Sequence, residues 1–261
     1  MKAAEIMNEL FAWAEADFSG KRTCDTLKAG SPDRVVKKVA VTCFDPVDVI
    51  RRAADWGADL LITHEPTYYD HWEERGDLVA IPLKRKIIED SGMTIYRYHD
   101  HPHIAPTDLI YSGVMEALGL EIALKRTGHF GMYRQTLPEP VTPRELAKRI
   151  EEKLNIAHVR ICGAADEPMT TLSMAVGAAA GILEELDGEG QIVVTGETCE
   201  WRECEYARDL AALGFKKALL LLGHCGSERQ GMRFVADMLR NAHPELEVKY
   251  FDTDEVYTYA E

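Results

Sequence analysis

Three apolar segments of this chain each run directly into histidines and carboxylates, and this pattern constrains the fold more than any other feature. The segments, each with the ionisable residues after it, are 60–62 before His64 and Glu65, 95–98 before His99 to His103, and 218–222 before His224 and Glu228. Short apolar runs of this kind predict buried strands. In α/β proteins, functional side chains gather at the carboxyl ends of parallel strands. The sequence therefore predicts a metal site at such an edge.

Composition limits the classes of partner. The 261 residues are 46% hydrophobic and 28% charged, so we expect a globular protein with one large domain or two lobes. The 30 basic and 44 acidic residues give a formal charge of −14. Duplex nucleic acid and anionic membranes both attract Lys and Arg, so we expect neither as a partner. Small molecules, metals and copies of the chain are the expected partners.

Neither a secretory signal nor a membrane span is predicted. Acidic residues interrupt the apolar pattern of the first twenty positions, and no stretch approaches the roughly 20 apolar residues of a span. The six cysteines form no CxxC pair, so we expect reduced thiols in a cytoplasmic protein. A zinc site at Cys199 and Cys204 would lack a second pair of ligands.

Hydrophobic periodicity predicts helices that alternate with strands, which favours a largely parallel sheet. Residues 20–34 and 67–77 are predicted to be irregular, and the second segment is placed to cover a site. The predicted helices are 2–17, 46–56, 79–91, 107–118, 143–153, 180–186, 199–213 and 227–241. The predicted strands are 36–43, the run before His64, 93–99, 158–162, 171–177, 191–195 and 217–222.

The sequence pattern changes near residue 127, which predicts two lobes. The proline-containing stretch 136–143 favours a lobe boundary or an edge strand. Thr142, followed by Pro143 and Glu145, predicts the start of a helix. The predicted lobes are a discontinuous metal-site lobe of residues 1–126 plus 222–261 and a second α/β lobe of residues 127–221.

Each motif has an alternative interpretation. His224 and Glu228 share a helix face and suit a divalent metal, but they also suit a surface pair at an anion-binding helix start. His64 and Glu65 can join one cluster only if the strand ends or twists at His64, since strand neighbours point to opposite faces. The alternative is a buried histidine beside a solvated glutamate. The histidines at 99–103 either share a partner or form a surface loop.

The remaining aromatic and histidine residues carry weaker signals. The segment Tyr68 to Trp72 either forms a substrate wall or packs. The histidines without a motif are interpreted as surface or core residues; they are His71, His129, His158 and His243.

The ordered motifs resemble those of the Nif-three-like dinuclear metal center hexameric protein family, many of whose members are labelled GTP cyclohydrolase 1 type 2 homologs. In that family, strands end in His-His-Pro, in His-Thr-x-x-Asp and in Gly-His-x-x-x-Glu. The corresponding segments here are His64-Glu65-Pro66, His99 to His103, and Gly223-His224 to Glu228. Two further resemblances are Thr195-Gly196-Glu197 to a Thr-Gly-Asp or Thr-Gly-Glu turn and, more weakly, Cys24-Asp25 to Gly30 to an early Asp-Asn…Gly segment.

Two positions depart from the family pattern. Glu65 stands where the family has a histidine, and His103 stands where it has an aspartate, so the set keeps four imidazoles and two carboxylates. Alternatives to His103 as ligand are Asp100, His101 and Asp108. Because a neutral imidazole does not normally bridge two cations, the bridge falls to Glu65 or Glu228, with Asp108 or Asp100 in reserve.

The resemblance implies an α/β, two-lobed Nif-three-like fold with mixed, largely parallel sheets flanked by helices, assembled as a homohexamer. It implies two divalent ions per chain, of Fe, Mn, Zn or Co, on His64, Glu65, His99, His103, His224 and Glu228. The implied function is a metal-dependent hydrolase acting on an unidentified small molecule. The alternative is a non-catalytic metal-binding, metallochaperone or regulatory hexamer.

Overall fold

The computed structural model describes residues 1–15, 22–74, 76–122, 126–129, 131–258 and 260. These residues form a mixed α/β protein with two five-stranded sheets of mostly parallel strands flanked by helices, as predicted. The chain divides into two compact units, Met1–Ile110 with Gly231–Glu261 and Tyr111–Gln230.

The described helices and strands are as follows. The α-helices are α1 (Ala3–Ala14), α2 (Val47–Trp56), α3 (Ala80–Ser91), α4 (Asp100–Ile104), α5 (Leu109–Leu118), α6 (Pro143–Leu154), α7 (Ile182–Asp187), α8 (Glu205–Ala212) and α9 (His224–Ala242). The strands are β1 (Leu27–Ala29), β2 (Lys38–Thr42), β3 (Leu60–Thr63), β4 (Thr94–Arg97), β5 (Tyr133–Val141), β6 (Arg160–Gly163), β7 (Met169–Ala175), β8 (Ile192–Thr195), β9 (Ala218–Leu221) and β10 (Glu247–Tyr250).

The sheet of the first unit has the order β1-β4-β3-β2-β10. Its strands pair in parallel except for β1, which runs antiparallel to β4. Thr42 of β2 pairs with Thr63 of β3, and Thr63 pairs with Arg97 of β4. Because these three strands end level with one another, the residues that follow them emerge at one edge of the sheet.

The core of the first unit packs against the strands that end at this edge. Strands β3 and β4 are buried along their whole length. Helices α2 and α3 pack their apolar faces against the sheet in a cluster that includes Val49, Ile50, Ala53, Leu61, Ile81, Ile88 and Ile95. Apolar burial of this kind is the main favourable term in folding.

The sheet of the second unit has the order β5-β7-β8-β9-β6, with β7, β8 and β9 parallel and an antiparallel strand at each edge. The proline-rich stretch lies in the edge strand β5, as one of the two interpretations predicted, and the pairing shifts register between Thr136 and Val141. The predicted helix start is confirmed. The Thr142 side chain accepts from the Glu145 amide at 3.2 Å, and the Glu145 carboxylate accepts from the Thr142 amide at 3.0 Å.

Several local features differ from the prediction or were missed by it. Helix α1 ends at Ala14 rather than 17, and residues 16 and 17 lie outside the described residues. Strand β1 lies inside the segment 20–34 that was predicted to be irregular, and strand β10 was not predicted. The segment 200–204 forms a π-helical turn before α8. Short elements such as β1 exist because of their pairing partners, so periodicity gives little signal for them.

The predictions about the cysteines and about a membrane span can be compared with the structure. All six cysteines are free. Within the described part of the chain, no helix combines the length and apolar character needed to span a bilayer.

Candidate metal centre

The end of β3 brings His64 and Glu65 to the same side. The strand stops at Thr63, and the amides of both following residues donate to the Cys43 carbonyl, at 3.1 Å from His64 and 2.9 Å from Glu65. The chain therefore leaves the pleated geometry that would point the two side chains to opposite faces. His64 Nε2 and Glu65 Oε1 lie 4.0 Å apart. The condition that the sequence set for a shared cluster is met.

Three imidazoles gather at this edge. One ring nitrogen from each of His64, His99 and His103 lies within 4.8 Å of the others. His64 Nε2 and His103 Nε2 are 3.2 Å apart, and the rings of His64 and His99 stack with centroids at 4.6 Å. Glu65 Oε1 lies 3.6 Å from His99 Nε2. The four predicted ligands of the first unit are thus brought together.

An oxygen atom holds Nδ1 of each of these rings. The acceptor is the Tyr98 carbonyl for His64, at 3.0 Å. Asp108 Oδ2 lies 2.8 Å from His103 Nδ1, and Asp100 Oδ1 lies 2.9 Å from His99 Nδ1. Metal-binding histidines typically donate the other ring N–H to such groups, which fixes the tautomer and the orientation of the ring.

The electrostatic environment keeps His64 neutral. Its side chain is completely buried, and burial lowers the pKa of His64 well below the usual value of 6.5, with His99 and His103 lowering it further. A neutral imidazole is the form that binds a metal ion. Burial raises the pKa of Asp100, but hydrogen bonds from His99, the Cys24 amide and Thr23 outweigh it, and the net shift is downward.

The Asp25 carboxylate holds the backbone amides of the second histidine motif. Its Oδ1 accepts from the amides of His99 and Asp100 at 2.7 and 2.8 Å, and its Oδ2 accepts from the His101 amide at 2.8 Å. Oδ2 also lies 2.7 Å from His101 Nδ1. Asp25 thereby caps α4, a helix that the sequence did not predict. The Cys24-Asp25 motif resemblance was the one sequence signal that pointed to this residue.

The three alternatives to His103 take other positions. Asp100 contacts His99 and the Cys24 amide, His101 contacts Asp25, and Asp108 lies behind His103 on its Nδ1 side. Of these residues, His103 is the one whose Nε2 lies beside His64 Nε2.

Arg97 is a buried cation beneath the cluster that the sequence analysis missed. Its Nε donates to the His64 carbonyl at 3.0 Å, and its Nη1 donates to the His71 carbonyl at 2.6 Å. Its Nη2 lies 3.7 Å from Glu65 Oε2. Arg97 is fully buried at the last position of β4. It therefore fixes the backbone of both segments and places a positive charge beside the Glu65 carboxylate.

The second unit contains the other two predicted ligands. Helix α9 begins at His224, and the predicted sharing of one helix face is confirmed, because His224 Nε2 lies 3.2 Å from Glu228 Oε2. His224 Nδ1 lies 2.8 Å from Glu197 Oε1, which belongs to the Thr-Gly-Glu turn. Ser227 Oγ donates to the His224 carbonyl and accepts from the Gly177 amide, both at 2.8 Å.

Gly177 leaves room for this pair. It has φ = +63°, and a Cβ at this position would lie 2.2 Å from Glu228 Oε1 and 3.2 Å from His224 Nε2. A side chain would therefore displace the Glu228 carboxylate, and the left-handed backbone at this position also favours glycine.

The segment from Tyr68 to Trp72 divides between packing and exposure. Tyr68 is buried in the core of the first unit, whereas Tyr69 and Trp72 are 54% and 38% exposed. Lys84 fastens the start of the segment by donating to the Thr67 carbonyl at 2.6 Å and to Asp45 Oδ1 at 3.0 Å. The packing interpretation is therefore confirmed for Tyr68, and a role of the segment in substrate binding stays a prediction.

Comparison with known proteins identifies the family. The family model described as Duf34/NIF3 (NGG1p interacting factor 3) matches residues 1–256. The chain belongs to this family. Among the Duf34/NIF3 relatives, a Clostridium acetobutylicum protein named GTP cyclohydrolase 1 type 2 homolog is 23% identical over 227 residues, which cover 83% of this chain and 81% of the relative. The resemblance found in the motifs is therefore confirmed.

Solved structures show the same fold. A Staphylococcus aureus protein matches with a TM-score of 0.78 and 16% identity, covering 100% of this chain and 99% of its own. A Bacillus cereus protein related to NIF3 matches with a TM-score of 0.75 and 14% identity, with the same coverage. At this identity the likeness establishes the Duf34/NIF3 fold.

The donors of this Duf34/NIF3 chain fit a divalent metal. Imidazole nitrogens and carboxylate oxygens together suit Fe, Mn, Zn or Co better than Ca. In the first unit the imidazoles are oriented through Nδ1 and grouped with Glu65; in the second unit His224 and Glu228 form an imidazole–carboxylate pair. Each unit thus contains side chains that could hold a metal ion.

Proposed function

We propose that this chain is a metal-dependent hydrolase acting on a small molecule, with two divalent ions held by His64, Glu65, His99, His103, His224 and Glu228. The observation that carries the proposal is the 3.2 Å separation of His64 Nε2 and His103 Nε2. A carbonyl and a carboxylate lie on the Nδ1 side of these two rings, so the two Nε2 atoms face each other across one position. A cation at that position would be bound by both imidazoles.

Two divalent ions, when bound, make water a stronger acid and stabilise negative charge that develops on the substrate. The side chains of this protein supply the metal-binding groups and hold them in position. Glu65 adds a carboxylate beside His99, and Arg97 fixes the His64 backbone. Glu228 is four residues from His224 on a rigid helix, so we assign it to holding and orienting metal rather than to proton transfer. A metal-bound carboxylate has too low a pKa to act as an effective base near neutrality.

The names of the relatives indicate which substrates to test first. Curated relatives carry the name GTP cyclohydrolase 1 type 2 homolog, so GTP belongs in the first set of compounds to test, beside phosphate esters and cyclic amides.

We also propose a homohexamer, on the basis of the family resemblance. Sedimentation velocity of the full chain tests the assembly, and a monomer or dimer at micromolar concentration would contradict it.

Metal analysis is the first experiment. The full chain, purified anaerobically and dialysed, should contain close to two divalent ions per chain. One ion or none after reconstitution with Fe, Mn, Zn and Co in turn would overturn the dinuclear proposal. Exchangeable ions without turnover in a broad hydrolase screen would instead support the non-catalytic metal-binding alternative.

The Glu228→Gln variant tests the assigned role. Metal occupancy and activity, measured on one preparation, should fall together. Glu152→Gln, an exposed position on α6, is the matched control and should change neither. If Glu228→Gln keeps full occupancy while turnover is lost, Glu228 transfers protons and the holding role is wrong.

A further inference from the structure

A second group of metal-binding side chains lies beside the imidazole cluster. Cys24 Sγ and one ring nitrogen from each of His71 and His99 all lie within 4.8 Å of one another. The three residues come from the loop before β1, the segment after β3 and the end of β4. All three belong to the first unit. From the sequence, His71 was predicted to be a surface or core residue and Cys24 carried only a motif resemblance, so neither was expected to bind metal.

The surroundings of Cys24 differ from those of a buried structural thiol. Cys24 is 3% exposed, yet its neighbours are charged. Its Sγ lies 3.7 Å from Asp25 Oδ1, and its amide donates to Asp100 Oδ2 at 2.9 Å. A structural cysteine normally packs as a small apolar side chain. Here burial raises the pKa of the Cys24 thiol, Arg97 lowers it, and Asp25 and Asp100 raise it further, so the thiol keeps its proton until a cation binds.

The segments that carry these groups are held in place before any metal binds. The Arg97 guanidinium holds the His71 carbonyl at 2.6 Å, and Asp25 holds the His99 amide at 2.7 Å. The His71 and His99 rings meet edge to face with centroids at 5.4 Å. His71 is exposed, which leaves an approach from solvent. Fixed donors reduce the entropy that metal binding would otherwise cost.

We propose that Cys24, His71 and His99 form a second site for a zinc-class cation, which competes with the hydrolase ligand set for the shared residue His99. The thiol binds as thiolate, with its proton released to solvent, and the sulfur and two nitrogens bind the metal. Thiolate and imidazole select Zn²⁺ or Co²⁺ over Mg²⁺, Mn²⁺ or Ca²⁺. Three protein ligands with a fourth position open are typical of exchangeable or catalytic zinc rather than a closed structural site.

Cobalt spectroscopy tests the site with Co²⁺ alone as the probe. The full chain, stripped with chelator and titrated with Co²⁺, should show a near-ultraviolet thiolate-to-cobalt charge-transfer band. Cys24→Ser should abolish the band and His71→Ala should weaken it. The matched controls are Cys43→Ser, at the end of β2, and Cys225→Ser, beside His224; both should keep the band. His103→Ala should also keep it, because His103 is not one of the three ligands of this site.

X-ray absorption of the zinc-loaded wild-type chain provides a measurement that does not depend on the folding of a variant. Sulfur scattering at about 2.3 Å from zinc is expected. The proposal is overturned if the wild-type chain shows neither the cobalt band nor a zinc–sulfur shell. It is also overturned if the band persists in Cys24→Ser or is lost in Cys43→Ser or Cys225→Ser.

Discussion

Asp108 Oδ2 lies 2.8 Å from His103 Nδ1, while the opposite nitrogen of the same ring lies 3.2 Å from His64 Nε2. The completely buried carboxylate therefore sets which face of His103 is turned towards the other imidazoles. Asp108 is five residues from His103, whereas His64 is 39 residues away. A local contact thus orients a ring for a long-range cluster.

Asp108→Asn should weaken metal binding while leaving the fold intact. The amide keeps a similar shape but is a weaker acceptor than a carboxylate for a hydrogen bond from His103 Nδ1. Loss of such a supporting carboxylate typically lowers metal affinity about 10- to 100-fold. Isothermal titration of the stripped chain with Zn²⁺ or Mn²⁺ measures the change. The exposed Asp90→Asn on α3 is the control, and equal affinities for the two variants would contradict the supporting role.

The exchanged residues should be coupled. Glu65→His alone or His103→Asp alone changes the balance of imidazoles and carboxylates, whereas the double variant restores it and recreates the family arrangement. Each single variant should therefore bind metal more weakly than the double variant. A double-mutant cycle on metal affinity gives the coupling energy. Additive effects would count against a shared site.

Gly177→Ala should displace the Glu228 carboxylate. Both Gly177 (φ = +63°) and Gly57 (φ = +82°) have left-handed backbones, but a Cβ on Gly57 would meet nothing within 4 Å. Gly57→Ala is therefore a control for backbone strain alone, about 1–2 kcal/mol. Thermal unfolding should show a loss for both variants, and metal analysis should show a loss of occupancy for Gly177→Ala only. Equal occupancies would mean that Glu228 does not hold metal.

Glu185 should contribute stability that disappears in acid. Burial raises the pKa of Glu185, but hydrogen bonds from Arg134 and Ser173 outweigh it, so its folded pKa is below the usual 4.5. Arg134 meets Glu185 with two contacts of 2.6 and 2.7 Å. A lowered carboxyl pKa stabilises the fold above the unfolded value and ceases to do so as pH falls through the folded value.

Glu185→Gln should therefore cost roughly 1.5–3 kcal/mol at pH 7, and the difference from wild type should shrink progressively below about pH 4.5. Urea unfolding at several pH values measures this. Glu189→Gln removes an exposed partner of the same arginine and should cost less than about 1 kcal/mol. A Glu185→Gln loss that stays constant with pH would show that packing rather than ionisation is responsible.

The sequence by itself determined the alternation of helices with apolar strands, because buried strands and amphipathic helices leave periodic patterns that do not depend on distant contacts. It also placed His64 and Glu65 at the end of β3, and it put His224 and Glu228 on one helix face, since a spacing of four residues is a local property of helices. The proline-rich edge strand and the Thr142 cap were predictable for the same local reason.

Only the tertiary structure decided which distant residues support the three motifs. The capping of α4 by Asp25 joins residues 74 to 76 positions apart, and the burial of Arg97 under His64 depends on strand pairing. The meeting of Cys24 with His71 and His99 brings together three separate segments. No periodicity records such contacts, because they depend on which strand ends lie side by side and on the few buried polar groups that must find partners there.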